Sequence, residues 1–455
     1  MTSEGPPTVV VVGGGFAGLS TAKRLKRTPV RTILIDQNNY HLFAPLLYQV
    51  ATSLLEPAEI ATPIRAILRR VRNAEFLMAR VLSIDFDRNQ VITDRGEVAF
   101  DYLVLAAGSK TNYFGNAALE KATVAMKNLN DALDLRNRVL SLAEEAKWAR
   151  DAEARRKLLS FVVVGGGSTG VETAGALQEL IHHVLRKDFK EMSLADASVT
   201  LLEASDRLLP PFHPRLQQGA ARQLRKKGVE VRLNTSLTEV RAGEALLSDG
   251  SIIPAGLVVW AAGVAATDLG DVVSDDLGKG RTVRVEPTLQ LPGHPNVFAI
   301  GDLAAVEWQE QQLPMLAPVA LQGGKHAARN IKHLVKGEPP EEFRYLDKGI
   351  MSTIGRNSAV MQFRGLRSEG YFAWLSWLFV HLLLIVSGRS QLSILMNWFW
   401  NYVKNDRAAR LILKPTEAMA TARTTTESDV QRGDHQHPAD VVVPETERST
   451  PRRAG

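Results

Sequence analysis

The chain of 455 residues contains no cysteine. That absence excludes structural disulfides, thiolate metal sites, iron–sulfur clusters and any catalytic dithiol. Long Lys/Arg runs are missing too, and the formal net charge of +6 is mild for this length. Such a charge fits either a solvated basic surface or attraction to anionic lipid headgroups, and suits nucleic acid less well. A hydrophobic leader is also absent: Met1–Pro7 is short and polar and runs straight into a core strand. There is no room for a signal peptide, which predicts that the folded body stays in the cytoplasm. Charge itself disappears from Tyr371–Gly388, 18 residues without Asp, Glu, Lys or Arg. The length is enough for two or three domains with large cores.

What is present begins with VVVVGGGFAG, Val9–Gly18. An apolar, β-branched run leads into Gly13-x-Gly15-x-x-Gly18, and the stretch Leu19–Lys26 that follows is helical in character. Gly13 permits a tight turn, Gly15 lets a pyrophosphate approach the backbone, and Gly18 lets the helix pack on the strand. The helix N-terminus offers unpaired N–H groups to phosphates. The next strand, Thr32–Ile35, ends in Asp36, placed to accept hydrogen bonds from ribose hydroxyls. FVVVGGGSTG, Phe161–Gly170, repeats the device with Gly165, Gly167 and Gly170, and the strand Thr200–Leu202 ends in Glu203. Two nucleotide folds imply two nucleotides. A carboxylate at Glu203 pairs with a free 2′-OH and repels a 2′-phosphate, which favours NADH over NADPH; nearby Arg207 weakens that preference. The gap of 33 residues from Gly170 to Glu203 is long, and His182–Lys190 either lengthens the helix or adds a loop.

Between these landmarks, Asn39–Tyr48 (NYHLFAPLLY) reads as a loop, and Pro57–Arg70 as a helix with a basic face of Arg65, Arg69 and Arg70. Turns at Arg88-Asn89 and Asp94–Gly96 separate short strands over 81–86, 91–93 and 98–100. Tyr102–Gly108 (YLVLAAG) is a buried strand with small residues at its end, and Val258–Gly263 (VVWAAG) is its counterpart. Asn128–Arg150 is a long helix with Leu129, Leu133, Leu140 and Leu142 inside. The strand Asn296–Asp302 ends in Gly301-Asp302. A helix over Pro314–Lys336 carries Pro318 in its first turn and Gly323-Gly324 in its interior, at roughly 1 kcal/mol each relative to Ala. That doublet fits either a crowded helix crossing or a flat ligand against the helix backbone.

An 18-residue helix over Tyr371–Gly388 would span about 27 Å, just short of a hydrocarbon core of roughly 30 Å. With Trp374, Trp377, Trp398 and Trp400 as interface residues, the pattern fits two helices lying in one leaflet. The second would present an Ile394/Leu395/Trp398/Phe399/Tyr402 face. A single span and a buried or dimer hairpin are the alternatives. His381 reads as a hydrogen-bonded residue rather than a ligand. From Lys414 the composition is that of a disordered tail, and its His435 and His437 are too sparse for a metal site.

Taken together, YHLFAPLLYQVAT (Tyr40–Thr52), VVVGGGSTGVETAG (Val162–Gly175), FAIGD (Phe298–Asp302), APVALQGG (Ala317–Gly324), DKGIMSTIG (Asp347–Gly355) and the aromatic hairpin resemble the type II NADH:quinone oxidoreductases of the two-dinucleotide-fold flavoprotein superfamily. The resemblance covers about residues 8–405. It implies an α/β protein with two Rossmann-like dinucleotide-binding domains, glutathione-reductase-like, plus a C-terminal membrane-associating helical hairpin. The implied division is 1–115 and 286–345 for FAD, 116–285 for NADH, 346–413 for membrane anchoring and 414–455 for the tail. It further implies that Gly13, Gly15, Phe16, Ala17, Gly18, Asp36, Ala107, Gly108, Gly301, Asp302, Ala320 and Gln322 bind FAD. Gly165, Gly167, Gly170, Glu203 and Gly263 bind NADH. Glu172 matches an acid near the nicotinamide–flavin contact, and Lys348 a lysine that can pair with it. The pair would respond to charge change on flavin reduction, or be a structural ion pair only. The family's quinone motif has two glutamines four apart; here Gln322 is present and Pro318 replaces the first. The implied reaction takes a hydride from NADH to FAD, then two electrons and two protons to a membrane quinone, menaquinone or ubiquinone, without proton pumping, in a respiratory electron-transport chain. The expected place is the cytoplasmic face of the inner membrane, bound peripherally to lipids through 371–403, where the hairpin could also build a homodimer. Sulfide:quinone oxidoreductases share the arrangement but need redox cysteines. A soluble NADH-dependent reductase of a small electron-carrier protein, and a non-catalytic nucleotide-binding scaffold, are the rivals.

Overall fold

The computed structural model describes residues 5–190, 197–404, 406–407 and 409–413. The tail from Lys414, with His435 and His437, lies outside the described residues. The first nucleotide fold is built as its sequence requires: β1 (Thr8–Val12), α1 (Phe16–Arg24) and β2 (Arg31–Asp36), with β1 parallel to β2. The segment after β2 departs from the expectation of a loop. Tyr40–Leu42 pairs antiparallel with Ala61–Pro63, and α2 (Leu47–Ala51) follows a single 3-10 turn. Every side chain of α2 is buried; its apolar run is core, and Pro45 sits in the turn before it, where its missing N–H costs nothing. The expected helix over Pro57–Arg70 is likewise broken. Helical turns at Pro57–Ile60 and Ile64–Leu68 flank the strand ending in Pro63, because proline cannot donate to a helix and holds the preceding residue extended. The three short strands over 81–99 form a separate meander. β3 (Tyr102–Leu105) returns beside β1.

The second fold starts with α3 (Leu129–Trp148), whose Asn128 and Asp131 cap each other reciprocally. Its buried face runs through Leu129, Ala132, Leu135, Val139, Leu140, Ala143 and Ala146; Leu133 and Leu142 lie at its margin. β4 (Ser160–Val164), α4 (Ser168–Glu179), β5 (Ser198–Leu202) and β6 (Leu257–Trp260) repeat the first fold's plan, with β5 and β6 on either side of β4 and parallel to it. The helix of the long insert continues α4 through a π-helical turn over Leu180–Leu185.

The chain then rejoins the first sheet: β7 (His294–Ala299) pairs parallel with β3. The six-stranded order is Gln290–Leu291, β7, β3, β1, β2, Ala74–Met78. α5 (Ala317–Val335) crosses α1, and a Cβ on Gly324 would stand 2.2 Å from the Ala17 carbonyl oxygen. The crowded crossing is therefore what the second glycine of the doublet serves. An antiparallel pair, β8 (Ile350–Gly355) and β9 (Ser358–Phe363), leads to the hairpin helices α6 (Tyr371–Leu384) and α7 (Gly388–Lys404).

The hairpin corrects two expectations. Helix α6 stops at Leu384 because Ile385 turns extended, and among the described residues no helix is long and apolar enough to cross a membrane. The Ile394/Leu395/Trp398/Phe399/Tyr402 face is also divided. Ile394 and Trp398 are buried with Ala373, Trp377 and Ile385 in the same core as α2 and α4, while Leu395, Phe399 and Tyr402 stay exposed. Trp377 and Trp398 are thus core residues. Polar bonds fix the hairpin to the body: Trp398 Nε1 donates to Gln49 Oε1 (2.7 Å), and Glu59 accepts from Asn397 Nδ2 (2.6 Å) and from the Ser393 hydroxyl. His381 Nδ1–H donates to Trp377 O (2.8 Å) and the ring stacks on Trp377; burial pushes its imidazole down to about 4.

Candidate functional site

The two glycine turns are near copies in their contacts. In the first, the Gly13 N–H donates to Ile35 O (2.7 Å) and Gly14 N–H to Asp36 Oδ2 (2.6 Å). In the second, Gly165 N–H donates to Leu202 O (2.8 Å) and Gly166 N–H to Glu203 Oε2 (2.5 Å). Gly13 and Gly165 have φ of +106° and +110°, a region that glycine alone enters freely. A Cβ there would also strike Ala106 O at 2.3 Å or Ala261 O at 2.6 Å. Each first glycine thus lies backbone-on-backbone against the residues that follow β3 or β6. A Cβ on Gly18 would lie 1.9 Å from Gly13 O, and on Gly170 1.8 Å from Gly165 O. Gly15 and Gly167 behave differently. A Cβ on either meets no protein atom within 4 Å, so packing within the protein does not demand glycine there. These two positions, at the N-termini of α1 and α4, form the cradle that a pyrophosphate fits.

Both acids are held by backbone. Asp36 also accepts from Asn38 N–H (2.7 Å); burial raises its carboxyl above the ordinary value while these bonds pull it back. Glu203 accepts from the Ser205 N–H (2.8 Å) and hydroxyl (2.7 Å). Arg207 does not oppose it: its guanidinium is paired with Asp206 at 2.6 and 2.9 Å.

Around the first turn, Phe16 and Ala17 open α1, and a Cβ on Gly301 would lie 3.0 Å from the Ala17 Cβ and 3.6 Å from that of Ala320. The starts of α1 and α5 and the Gly301-Asp302 turn therefore converge. Asp302 accepts from the Ser109 hydroxyl (2.6 Å), directly after Ala107 and Gly108, and Lys127 Nζ donates to that hydroxyl (2.7 Å). Lys127 and Ser109 were not among the expected site residues; neither stands in a recognisable motif. Buried His41 is a third addition, bonded through Nδ1 to Gly14 O (2.9 Å) and edge-on to Phe16. Gly263 directly follows Ala262, whose Cα would lie 2.6 Å from a Cβ on Gly165, so it stands beside the second glycine turn. Its carbonyl accepts from Asn112 N–H (3.0 Å) in the crossing between the two sheets.

Glu172 is the fifth residue of α4, just past its first turn. Its Oε1 accepts from Thr353 N–H (3.2 Å) and the Ser352 hydroxyl (3.3 Å) of β8. Loss of water around it pushes the carboxyl up to about 8, so it holds its proton at neutral pH. The Tyr48 phenol is buried and raised well above its usual value by burial and then by Glu172. The expected pairing of Glu172 with Lys348 is not formed. Among the described residues no ion pair joins them, and Lys348 is exposed on the turn before β8. Ser352 and Thr353 meet the carboxyl instead, because a neutral acid in a dry site needs hydrogen-bond donors more than a counter-charge. Gln322 is also engaged within the protein, with Pro318 O and both polar atoms of the Leu346 peptide.

Two fingerprint turns in one chain, each capped by its own carboxylate, define a protein with two dinucleotide-binding folds. The pyridine nucleotide-disulphide oxidoreductase family matches residues 7–324. The type II NADH:quinone oxidoreductase Ndh of Mycobacterium tuberculosis is 40% identical over 434 residues, 92% of each chain. That of Staphylococcus aureus strain bovine RF122 / ET3-1 is 32% identical over 77% of this chain and 88% of its own. The solved structure of NDH2 from Plasmodium falciparum in complex with NADH superposes with a TM-score of 0.81 at 19% identity, covering 90% of this chain and all of that one. Within the two-fold class, the chain belongs to the type II NADH:quinone oxidoreductases.

Proposed function

We propose that the protein oxidises NADH and reduces a membrane quinone to the quinol, NADH + H⁺ + quinone → NAD⁺ + quinol, without moving protons across the membrane. The observation that carries this is the paired glycine turns, each with an acid bonded to its second glycine, beside a buried carboxyl raised to about 8. The first turn, with Gly13, Gly15, Phe16, Ala17, Gly18, Asp36, Ala107, Gly108, Gly301, Asp302 and Ala320, fits FAD. Bound there, FAD supplies the two-electron relay between the two substrates. The second turn, through Gly165, Gly167, Gly170 and Glu203, holds NADH. Glu203 selects it over NADPH by accepting from ribose hydroxyls and repelling a 2′-phosphate. Glu172 keeps a proton on its carboxyl at neutral pH and hands it to a quinone oxygen as that oxygen gains electrons. Ser352 and Thr353 N–H then steady the carboxylate until it is reprotonated. Lys348 places an exposed positive charge ahead of the same strand.

The hairpin supports a membrane role. Phe372, Phe379, Leu383, Leu392, Phe399 and Trp400 are each more than half exposed, a larger apolar face than a water-facing surface usually carries. Arg389 and Lys404, exposed at the two ends of α7, suit anionic headgroups. The protein thus lies peripherally on lipid, on the cytoplasmic face in this reading.

The test is an anaerobic flavin absorbance titration of detergent-extracted protein with NADH, then with a short-chain quinone. Bleaching by NADH, little by NADPH, and recovery with quinone are expected. Bleaching without recovery would overturn the quinone step and favour an electron-carrier protein as acceptor.

A further inference from the structure

We infer that Gln322 is a positioning residue that staples the 341–349 strap to α5, and that it is not the hydrogen-bond partner of the quinone. Its carboxamide has two N–H groups. One donates to Pro318 O (3.2 Å) and the other to Leu346 O (3.0 Å), while Oε1 accepts from Leu346 N–H (3.0 Å). A quinone carbonyl only accepts, and Gln322 has no donor left to give it. Flipping the amide does not change this. It would set an oxygen against two carbonyl oxygens and an NH₂ against an N–H. Pro318, where the family has its other glutamine, has no side-chain donor.

The same helix carries a second clamp of the same kind. Asn330 Nδ2 donates to Glu341 O (2.9 Å), and Asn330 Oδ1 accepts from Glu341 N–H (3.0 Å). Each carboxamide pairs with the N–H and C=O of one strap residue, as a neighbouring antiparallel strand would. Gln322 and Asn330 lie eight residues apart, on nearly one face of α5. Beyond Leu346, Asp347 Oδ1 accepts from Gly349 N–H (2.8 Å) and closes a turn around Lys348. Gly349 has φ +75°, and a Cβ on it would lie 2.4 Å from Gln362 O of β9. Lys348 therefore stands between two fixed points, the Gln322 clamp and the β9 backbone. β8, which brings Ser352 and Thr353 to Glu172, starts two residues later. Gln322 acts through this strap on where Lys348 and the donors to Glu172 stand.

The functional part of this inference rests on the quinone-reduction reading, so the test has one arm that does not. Amide hydrogen exchange in the flavin-loaded Gln322→Ala variant should be about tenfold faster or more at Leu346 and unchanged at Glu341, whose clamp is Asn330. In steady-state assays with a short-chain quinone, Gln322→Ala should lower kcat about three- to tenfold and leave the quinone KM within about twofold. That loss should shrink when the change is made in a Lys348→Ala background, leaving only the part that acts through the donors to Glu172. Gln322→Glu should resemble the alanine variant at pH 8 and recover as the pH falls, because the protonated acid regains one donor. Unchanged exchange at Leu346 overturns the clamp. A quinone KM raised about tenfold, equally with and without Lys348, overturns the positioning role and makes Gln322 a quinone ligand. If the unaltered protein does not reduce quinone, the functional reading fails while the exchange result still decides the clamp.

Discussion

Glu172→Gln isolates the consequence of a carboxyl held neutral inside the fold. The unfolded carboxyl ionises near 4.5 and the folded one near 8. Between those values the folded state binds the extra proton, so stability falls as pH rises through the window and levels off above about 8. At about 1.36 kcal/mol per unit, the full span would cost about 5 kcal/mol. The residue is largely buried but keeps some exposure, and screening there reduces the effect to roughly 2–4 kcal/mol. Glutamine keeps an oxygen where Ser352 and Thr353 donate and has no proton to lose. Urea midpoints of the FAD-loaded protein in detergent, followed by tryptophan fluorescence from pH 5 to pH 9, should fall across this range for the natural chain and stay nearly level for Glu172→Gln. The variant should overtake the natural chain at the alkaline end. Parallel curves for the two proteins would refute the assignment of a raised carboxyl at this position, and with it the proton that Glu172 is proposed to hand to the quinone.

Four other outcomes follow from the geometry. Glu203→Ala removes the acceptor for Gly166 N–H and for Ser205; kcat/KM for NADH should drop about 10- to 100-fold, and the preference over NADPH should shrink, read from paired initial rates. Gly15→Ala meets no protein atom and should leave unfolding of the flavin-free protein within about 0.5 kcal/mol while sharply reducing retained flavin. Gly324→Ala forces a methyl onto Ala17 O and should cost about 1–3 kcal/mol, with or without flavin, despite the better helix propensity. Glu59→Ala deprives Ser393 and Asn397 of their buried acceptor; limited chymotrypsin digestion should then cut at the aromatics of α7 several times faster, with the nucleotide folds left intact.

Local rules made much of this protein legible in one dimension. Strand, glycine triplet, helix and terminal acid lie within a few dozen residues of one another. Each obeys a short-range constraint: the positive φ at Gly13 and Gly165, the tight crossing at Gly18 and Gly170, the acid at the end of the next strand. The reciprocal cap at Asn128 and Asp131 and the prolines that open helices are equally local. Pro63 was visible as well, but the helical spacing of its apolar neighbours masked its effect, and only pairing with Tyr40–Leu42 made the break productive.

Contacts between distant segments had no such signature. Nothing near Glu172 in the sequence announces that β8, some 180 residues on, supplies its hydrogen bonds in place of Lys348. The Ser109–Asp302–Lys127 group unites three stretches without a common motif. Gln322 looked free for a ligand because its partner, the Leu346 peptide, is backbone and carries no sequence identity. The hairpin shows the same division. Its apolar composition follows from the sequence, since burial and membrane contact both demand it. Which side faces in was decided by Gln49 and Glu59, whose buried oxygens need donors and find them on Trp398, Ser393 and Asn397. The sequence by itself determined the two nucleotide folds and their chemistry, because those rest on local geometry. The tertiary structure alone decided the partners of Glu172 and Gln322 and the inward face of the hairpin, because buried polar groups are satisfied by whatever the fold brings beside them.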